Sequence, residues 1–289
     1  MKEFIKRIKR GLRGLFNYLA WNRQYKDIIL NPRKSNFVSN RDWYVGHKIL
    51  LMVPHADDEL ISSYSILSNT TDVTIYYCGF TGSNHTEENR LIREREILNL
   101  CSELEVNVII GDRICGNVEG VLKEGGYDII LLPSIVDWHP EHRKLSYMIS
   151  DACVRLGIAP DIYNYSVTVP NESRREVLCV PLTESQLRKK YELFKKIYLS
   201  QKVMPITRLK LNERINGYNA GCYAAETFLK YNFDSWSKMV KKVKAIESVQ
   251  DSRVLILINT LKESINDLVS VRCISNELYF ILETNSRVK

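Results

Sequence analysis

The sequence predicts an α/β protein in which a mostly parallel sheet carries helices on both faces. Two observations support this fold class. Short apolar runs recur along the chain, and their continuous hydrophobicity is typical of strands that are buried on both faces. Longer amphipathic segments lie between these runs, as they do in βαβ units, whose strands are parallel. We therefore expect a doubly wound, Rossmann-like fold.

The first half of the chain contains the clearest predicted elements. Strands are expected at 49–53, 73–78, 107–110 and 127–134, and helices at 59–68, 87–105 and 141–156. The pattern loosens after residue 157, where strands are expected at 161–169 and 175–180 and helices at 183–201 and 213–230. Thr183 and Gln186 have the spacing of a capping box, which fixes the start of one helix. The tail predicts a strand or a buried helix at 254–261 and a hairpin at 269–283.

Composition and charge exclude several classes of protein. The chain has 289 residues, 45% hydrophobic and 26% charged, so it can bury a sizeable core. Its net charge of +7 favours anionic partners, but it contains no zinc knuckle, RNP pattern or basic zipper, and no nucleic-acid partner is expected. Seven widely spaced cysteines without a CxxC pair predict core residues in a reducing, cytoplasmic compartment.

The N-terminus is a basic amphipathic segment. Across residues 1–21 the apolar side chains recur at helical spacing, and they are Phe4, Ile5, Ile8, Leu12, Leu15, Phe16 and Leu19. Two interpretations stay open: residues 2–20 lie in a membrane interface with their basic side chains facing anionic lipids, or the helix docks on its own domain. No apolar run reaches the roughly 18–20 residues that span a bilayer. A polar connector is expected at 22–46.

Two polar clusters follow predicted strands. Residues 54–59 (PHADDE) come directly after the strand at 49–53, and residues 137–143 (DWHPEHR) follow the strand at 127–134. Ligands of open α/β sheets bind beyond the carboxyl ends of the strands, which is where both clusters lie. Three of the five histidines belong to these two short segments. The alternative is two unrelated, solvated loops.

The residue types of the two clusters suit a catalytic metal site. Such a site takes three nitrogen or oxygen ligands and keeps one position open for water. His55 and Asp58 are close enough in sequence to reach one ion, and a histidine of the second cluster completes the set. Asp57 is then placed to accept a proton from the water, and the remaining histidine, when protonated, to stabilise charge on a carbonyl oxygen.

Three motifs together resemble one family. PHADDE, IREREI (92–97) and DWHPEHR are similar to the motifs of the LmbE-like, or PIG-L, family of zinc-dependent N-acetylglucosamine deacetylases. The resemblance covers about residues 46–230 and implies a Rossmann-like fold and an N-acetyl sugar as substrate. It implies the zinc ligands His55, Asp58 and His142. It also implies Asp57 as general base, His139 as the residue that stabilises the tetrahedral intermediate or protonates the leaving amine, and Arg93 as a substrate contact.

The sequence departs from the family pattern at two positions. Ala56 stands where the family usually has proline, and Glu141 stands where it usually has aspartate. If this carboxylate orients His139, the longer side chain must approach from a different angle. Two further substrate contacts are predicted: Asp112, from a local match, and Trp138, which would stack on a sugar ring or form the pocket wall. For Trp138 the alternative of plain packing stays open.

We therefore expect three regions: a basic helix and connector at 1–45, a catalytic domain at 46–235, and an extension at 236–289 packed on that domain. The expected activity is removal of the acetyl group from a free, nucleotide-linked or lipid-linked N-acetyl amino sugar in glycan or polysaccharide biosynthesis. Zinc is the expected metal, although these ligands also suit iron or cobalt. Two alternatives stay open: hydrolysis of another amide, such as that of a thiol–sugar conjugate, or a catalytically silent, glycan-binding scaffold. The expected location is cytoplasmic, with possible attachment to the inner membrane face.

Overall fold

The computed structural model describes residues 2–31, 36–69, 72–82, 86–112, 116–172, 174–202, 204–247 and 252–284; the side chains of residues 2–11 and 13 lie outside the description. The strands are β1 (Phe37–Ser39), β2 (Ile49–Val53), β3 (Val73–Tyr77), β4 (Asn107–Ile110), β5 (Ile129–Pro133), β6 (Asp161–Tyr165), β7 (Val177–Leu182) and β8 (Ala224–Tyr231). The helices are α1 (Lys2–Leu30), α2 (Asp58–Leu67), α3 (Glu87–Leu104), α4 (Val118–Gly125), α5 (Pro140–Leu156), α6 (Glu184–Ile197), α7 (Ile206–Asn219), α8 (Phe233–Glu247), α9 (Arg253–Glu263) and α10 (Leu268–Glu283).

The strands form one mostly parallel sheet, which confirms the predicted fold class. Its order is β1-β7-β8-β6-β5-β2-β3-β4. The five adjacent strands from β6 to β4 are parallel to one another, whereas β8 runs antiparallel to both β6 and β7. The order reverses between β2 and β5, since β3 follows β2 on one side and β6 follows β5 on the other. This reversal is the point where α/β sheets of this kind bind ligands.

Both faces of the sheet are buried in apolar cores. On β2, Leu50 and Met52 point into the core on one face, whereas Ile49, Leu51 and Val53 point into the core on the other. This explains why the strand has no polar position and appears in the sequence as a continuous apolar run. The first core includes apolar side chains of α8, α9 and α10.

Three sequence predictions were wrong. The connector at 22–46 is not irregular throughout, because α1 continues to Leu30 and β1 follows. The helix expected at 213–230 ends at Asn219, where Gly221 adopts a φ of +72° and turns the chain into β8. The hairpin expected at 269–283 is the helix α10, and the ambiguous run at 254–261 belongs to α9.

The termini pack on one another beside the sheet. Trp21 of α1 is buried against Leu211, Ile215 and Leu268, and its indole Nε1 donates a hydrogen bond to the backbone oxygen of Asn266 (2.8 Å). The second half of α1 is therefore docked on the body of the protein. The predicted boundary at 235 falls inside α8, and the division into three regions stays a prediction.

Candidate metal centre

Topology brings the two polar clusters together. The loop after β2 carries His55, and the loop after β5 leads into α5, which begins at Pro140 and contains His142. Because β2 and β5 are adjacent parallel strands, their carboxyl ends meet at the same edge of the sheet. The arrangement predicted from the strand ends is thus present, at the point where the strand order reverses.

The turn between β2 and α2 is strained. Asp57 has a φ of 138°, a region that residues with a Cβ rarely adopt and that costs about 1–3 kcal/mol. Two contacts hold it: Arg93 Nη1 donates to the backbone oxygen of Ala56 (2.8 Å), and the backbone N–H of Asp57 donates to Glu59 (3.2 Å). The two adjacent carboxyl groups have different neighbours: Asp57 Oδ2 lies 3.8 Å from Arg93, whereas Asp58 Oδ2 lies 3.2 Å from His55 and 3.4 Å from His142.

Three potential ligand atoms form a compact triangle. His55 Nδ1 lies 3.2 Å from His142 Nε2 and 3.2 Å from Asp58 Oδ2, and the third side, from His142 Nε2 to Asp58 Oδ2, measures 3.4 Å. Ligands at about 2.0–2.1 Å from a tetrahedral zinc ion lie about 3.3 Å apart, so the triangle fits such an ion. His139 belongs to a wider group, since it, His55 and His142 offer ring nitrogens within 4.8 Å of one another.

Each histidine of the triangle contacts a carboxylate through its other ring nitrogen. Asp137 Oδ2 lies 3.2 Å from His142 Nδ1, and Glu141 Oε2 lies 2.6 Å from His55 Nε2. A carboxylate this close to one ring nitrogen orients the ring, and a metal at the opposite nitrogen would displace the proton that this nitrogen otherwise carries. Both contacts therefore support a site that can bind a divalent cation.

Burial and neighbouring charges shift the pKa values of the site. Burial alone disfavours a charged His142, but Asp137 and Asp58 outweigh it and raise the pKa of His142 to about 10. Burial, helped by the adjacent Asp58, holds the pKa of Asp57 well above its usual range, with Arg93 opposing the shift. Burial, together with positive charge at His55 and His142, lowers the pKa of His139 to about 4.

A pocket of about 350 Å³ opens beside the triangle, at the lower end of the range for small-molecule sites. His55, Asp57, Asp58, Arg93, Trp138, His139 and His142 all line it. Seven of the eight residues predicted from the sequence are thus brought together. Trp138 is fixed in the wall, because its Nε1 donates to Thr168 Oγ1 (3.1 Å).

Asp112 is not among the residues that line the pocket. It lies on an exposed turn after β4, where its Oδ1 accepts a hydrogen bond from the backbone N–H of Gly116 (2.9 Å). Asp112 lies away from the pocket because β3 separates β4, which leads to Asp112, from β2, which leads to the metal triangle. A substrate contact at Asp112 stays a prediction, with no support from its position.

Several residues of the site were not predicted from the sequence. Asp137 and Glu141 could have been proposed as partners of the histidines, because both carboxylates lie within the second motif. Several other pocket residues lie far along the chain, among them Met204, Pro205, Arg208, Ile265 and Asn266. Ile265 and Asn266 precede α10, so the C-terminal region forms part of the pocket wall. No sequence motif predicted this.

Comparisons with known proteins give a consistent result for the fold. No protein-family model matches the chain, and no curated protein matches it. Among solved structures, the zinc-inhibited form of a teicoplanin deacetylase has a TM-score of 0.51 at 14% identity, covering 64% of this chain and 98% of that one. N,N'-diacetylchitobiose deacetylase from Pyrococcus horikoshii has a TM-score of 0.52 at 17% identity, covering 75% and 93%.

The chain has the fold of these two deacetylases. A conserved protein from Thermus thermophilus has the same fold, with a TM-score of 0.51 at 18% identity, covering 63% of this chain and 94% of that one. At these identities the similarity establishes the fold, and it confirms the fold that the three sequence motifs imply. The activity of this protein has to be argued from its own site.

Proposed function

We propose that the protein is a metal-dependent hydrolase that removes the acetyl group from an N-acetylated amino sugar. The observation that carries the proposal is the triangle of His55, His142 and Asp58, which opens on a pocket that also contains Asp57. Two solved structures with this fold are those of deacetylases, one of teicoplanin and one of N,N'-diacetylchitobiose.

The three atoms of the triangle would hold the metal, and zinc fits their type and spacing best. Iron and cobalt also accept imidazole and carboxylate ligands, so the donor set does not select zinc alone. A bound divalent cation supplies Lewis acidity to the acetyl carbonyl group and lowers the pKa of water.

Asp57 is the proposed general base. Its carboxyl group lines the pocket without belonging to the triangle, and its raised pKa suits a group that accepts a proton and later returns it. In this proposal Asp57 accepts the proton of the attacking water and passes it to the sugar nitrogen as the C–N bond breaks. Acetate and a free amino sugar are the products.

His139 is proposed to stabilise the oxyanion as a neutral donor. Its Nδ1 accepts a hydrogen bond from the backbone N–H of Glu141 (3.3 Å), which leaves the ring proton on Nε2. Its pKa of about 4 keeps the ring neutral at neutral pH. In this proposal a neutral imidazole donates from Nε2 to the carbonyl oxygen, where a protonated one is expected from the sequence.

Arg93 and Trp138 are proposed to shape the substrate site. The Arg93 guanidinium holds the turn through Ala56 and lies 3.8 Å from Asp57 Oδ2, so it positions the proposed base besides facing the pocket. Trp138 offers an aromatic face to a sugar ring. A sugar bound there would contact residues from both motifs at once.

The experiment that tests the function is acetate release by the zinc-loaded protein. The substrates are N-acetylglucosamine, its uridine diphosphate form and a lipid-linked form, with the corresponding N-propionyl compounds as a comparison. We expect release from at least one acetyl compound and no release after removal of the metal by a chelator. Stoichiometric metal without turnover of any acyl compound would contradict the proposal and favour a sugar-binding protein without catalysis.

A peripheral membrane contact through residues 2–20 is part of the proposal. None of the described helices is long and apolar enough to cross a bilayer. In α1, however, Leu12, Leu15, Phe16 and Leu19 lie on one face and are about half or more exposed, whereas Trp21 is buried. Leu19 and Trp21 are two residues apart, which is about 200° around a helix, so the exposed stripe lies opposite the docked face.

This geometry lets both interpretations of the N-terminal segment hold at once. The second half of α1 docks on the protein, and the exposed stripe is free to enter an interface rich in anionic lipid, to which the basic residues of the segment are attracted. Lys2, Lys6, Lys9, Arg10 and Arg13 supply that charge by sequence, although their side chains lie outside the described residues. A cytoplasmic location at the inner membrane face belongs to the same proposal.

Replacing Leu12, Phe16 and Leu19 by serine tests this contact. Each exposed side chain that enters the interface contributes up to about 1.5–3 kcal/mol, so the triple variant should bind vesicles containing phosphatidylglycerol at least tenfold more weakly. Stability should not change, because the three side chains are exposed. Leu199→Ser, at an exposed site elsewhere, is the matched control. Equal sedimentation of wild type and triple variant with the vesicles would rule out the stripe as the contact.

A further inference from the structure

Arg208 carries a buried positive charge inside the pocket. The residue is 2% exposed and lines the same pocket as the metal triangle. Its Nη2 donates to the backbone oxygen of Thr168 (2.7 Å), and its Nε is buried and has no hydrogen-bond partner in the described part of the chain. Burial and the nearby Arg272 lower the pKa of Arg208 to about 10, so it still carries its charge at neutral pH.

Within the part of the chain that the structure describes, no carboxylate pairs with the charge of Arg208. Among the described residues, no aspartate or glutamate oxygen forms an ion pair with its guanidinium within 4.0 Å. Asp137 contributes an attraction at longer range, but it is engaged with His142. A buried charge without a partner is strongly unfavourable, and an anionic ligand that pairs with Arg208 would offset this cost.

Arg272 shows how the same side chain is accommodated elsewhere in this fold. Its guanidinium pairs with the carboxylate of Glu172 and donates to Asn212 Oδ1 (2.5 Å) and Asn216 Oδ1 (2.8 Å). Both arginines are buried, and the Nε of each has no hydrogen-bond partner among the described residues. Arg272 differs in that its charge is paired with a carboxylate, and it lies outside the pocket that contains the metal triangle. The difference points to a ligand as the partner of Arg208.

The N-terminus of α7 faces the same pocket. The helix begins at Ile206, and Met204 and Pro205 immediately before it line the pocket. No side chain caps this end, and its first turn contains no acidic residue. The first N–H groups of a helix and its dipole favour an anion at this position.

We propose that Arg208 and the N-terminus of α7 form a subsite for a phosphate group of the substrate. The proposal rests on the proposed function and narrows its substrate class to N-acetyl amino sugars that carry a phosphoryl group. The forked guanidinium and the helix N–H groups can each donate to a different phosphate oxygen, which a neutral sugar does not offer. Both sugar nucleotides and lipid-linked sugar phosphates have this chemistry.

Binding of N-acetylglucosamine 1-phosphate and of N-acetylglucosamine, measured by calorimetry, tests the subsite. A charge-assisted contact predicts that the wild-type protein binds the phosphate about 10- to 150-fold more tightly than the neutral sugar. Arg208→Met should lose this preference and bind the neutral sugar almost unchanged, and Arg208→Lys should keep part of it. Arg253→Met, at an exposed ion pair with Glu277, is the control that should retain the preference.

Thermal unfolding without ligand separates a binding role from a structural one. Arg208→Met removes an unpaired buried charge, so it should unfold at the same temperature as wild type or higher, and addition of inorganic phosphate should no longer stabilise it. Arg272→Met should unfold at a lower temperature, because it leaves Glu172 without its partner. A large loss of stability in Arg208→Met would overturn the proposal.

Other outcomes are equally informative. Equal binding of the two sugars by the wild type, or an unchanged phosphate preference in Arg208→Met, would refute the subsite. A preference that depends on Arg208 while no acetate is released from any compound would leave the subsite standing and reject the deacetylase. Acetate release from uridine diphosphate N-acetylglucosamine and from a polyprenyl-phosphate form then shows which carrier supplies the phosphate.

Discussion

Asp57→Asn is expected to lower kcat for acetate release by about 10²- to 10⁴-fold while the protein keeps its metal. The amide cannot accept the proton that the reaction removes from water, yet it is close in size to the carboxylate. Asp57 lies outside the triangle of ligand atoms, so the bound metal should be retained at wild-type stoichiometry. The measurements are initial rates at saturating substrate and metal content by atomic emission.

Asp58→Asn is the matched control, because it makes the same chemical change at the adjacent residue. Asp58 Oδ2 contacts both histidines of the triangle, at 3.2 Å and 3.4 Å, so its loss should weaken metal binding and abolish activity through the metal. Excess zinc should restore part of the activity of Asp58→Asn and none of that of Asp57→Asn. Metal loss in Asp57→Asn, or wild-type turnover by that variant, would falsify the assignment of the two aspartates.

The predictable part of the site is the part determined by local sequence and strand order. His55 follows one buried strand and His142 follows another, and parallel strands bring their carboxyl ends together. The sequence could also indicate a metal, because both clusters carry ligand types at strand ends. It could not show which atoms meet, and the contact of Glu141 with His55 at 2.6 Å, as opposed to 3.9 Å from His139 Nδ1, comes only from the fold.

The unpredictable part depends on contacts between distant segments. Arg208 is an isolated residue of a helix that sequence patterns placed too late, and its importance follows from burial without a partner. The tail was mistaken for a hairpin because its apolar residues are frequent enough to satisfy more than one period. Leu268, Val271, Ser275, Leu278 and Leu282 are buried at helical spacing, and packing against α1, α8 and α9 selects that period.

Lys190 is the second residue whose importance only the fold reveals. By sequence it belongs to a basic run on a helix, and such runs are usually solvated. In the structure its ammonium group is buried, pairs with Glu213, and donates to Glu226 Oε1 (2.7 Å) and to the backbone oxygen of Ile61 (2.6 Å). Glu226 also accepts from the backbone N–H of Ser65 (2.9 Å), so this network ties α2 to α6, α7 and β8.

Lys190→Met is therefore expected to destabilise the protein by about 3–5 kcal/mol, measured by urea unfolding. It leaves two buried carboxylates without their cation, whereas Lys189→Met, at the exposed neighbouring position, should change stability by less than about 0.5 kcal/mol. Adding Glu213→Gln and Glu226→Gln to Lys190→Met should recover much of the loss, because the buried charges are then gone together. No recovery would show that packing, and not charge, explains the effect.

The pH dependence of the same variant gives an independent check. Burial already raises the pKa of Glu213 to about 7 even though Lys190 opposes the shift, and the unfolded value is near 4.5. A raised pKa favours the protonated form in the folded state, so this group contributes a stability that falls as pH rises from 4.5 towards 7. Without Lys190 the folded pKa of Glu213 rises further, and the stability deficit of the variant should grow from pH 5 to pH 7.

Because α2 begins at Asp58, a weaker metal affinity of Lys190→Met at pH 7 would show that this buried network also supports the metal site.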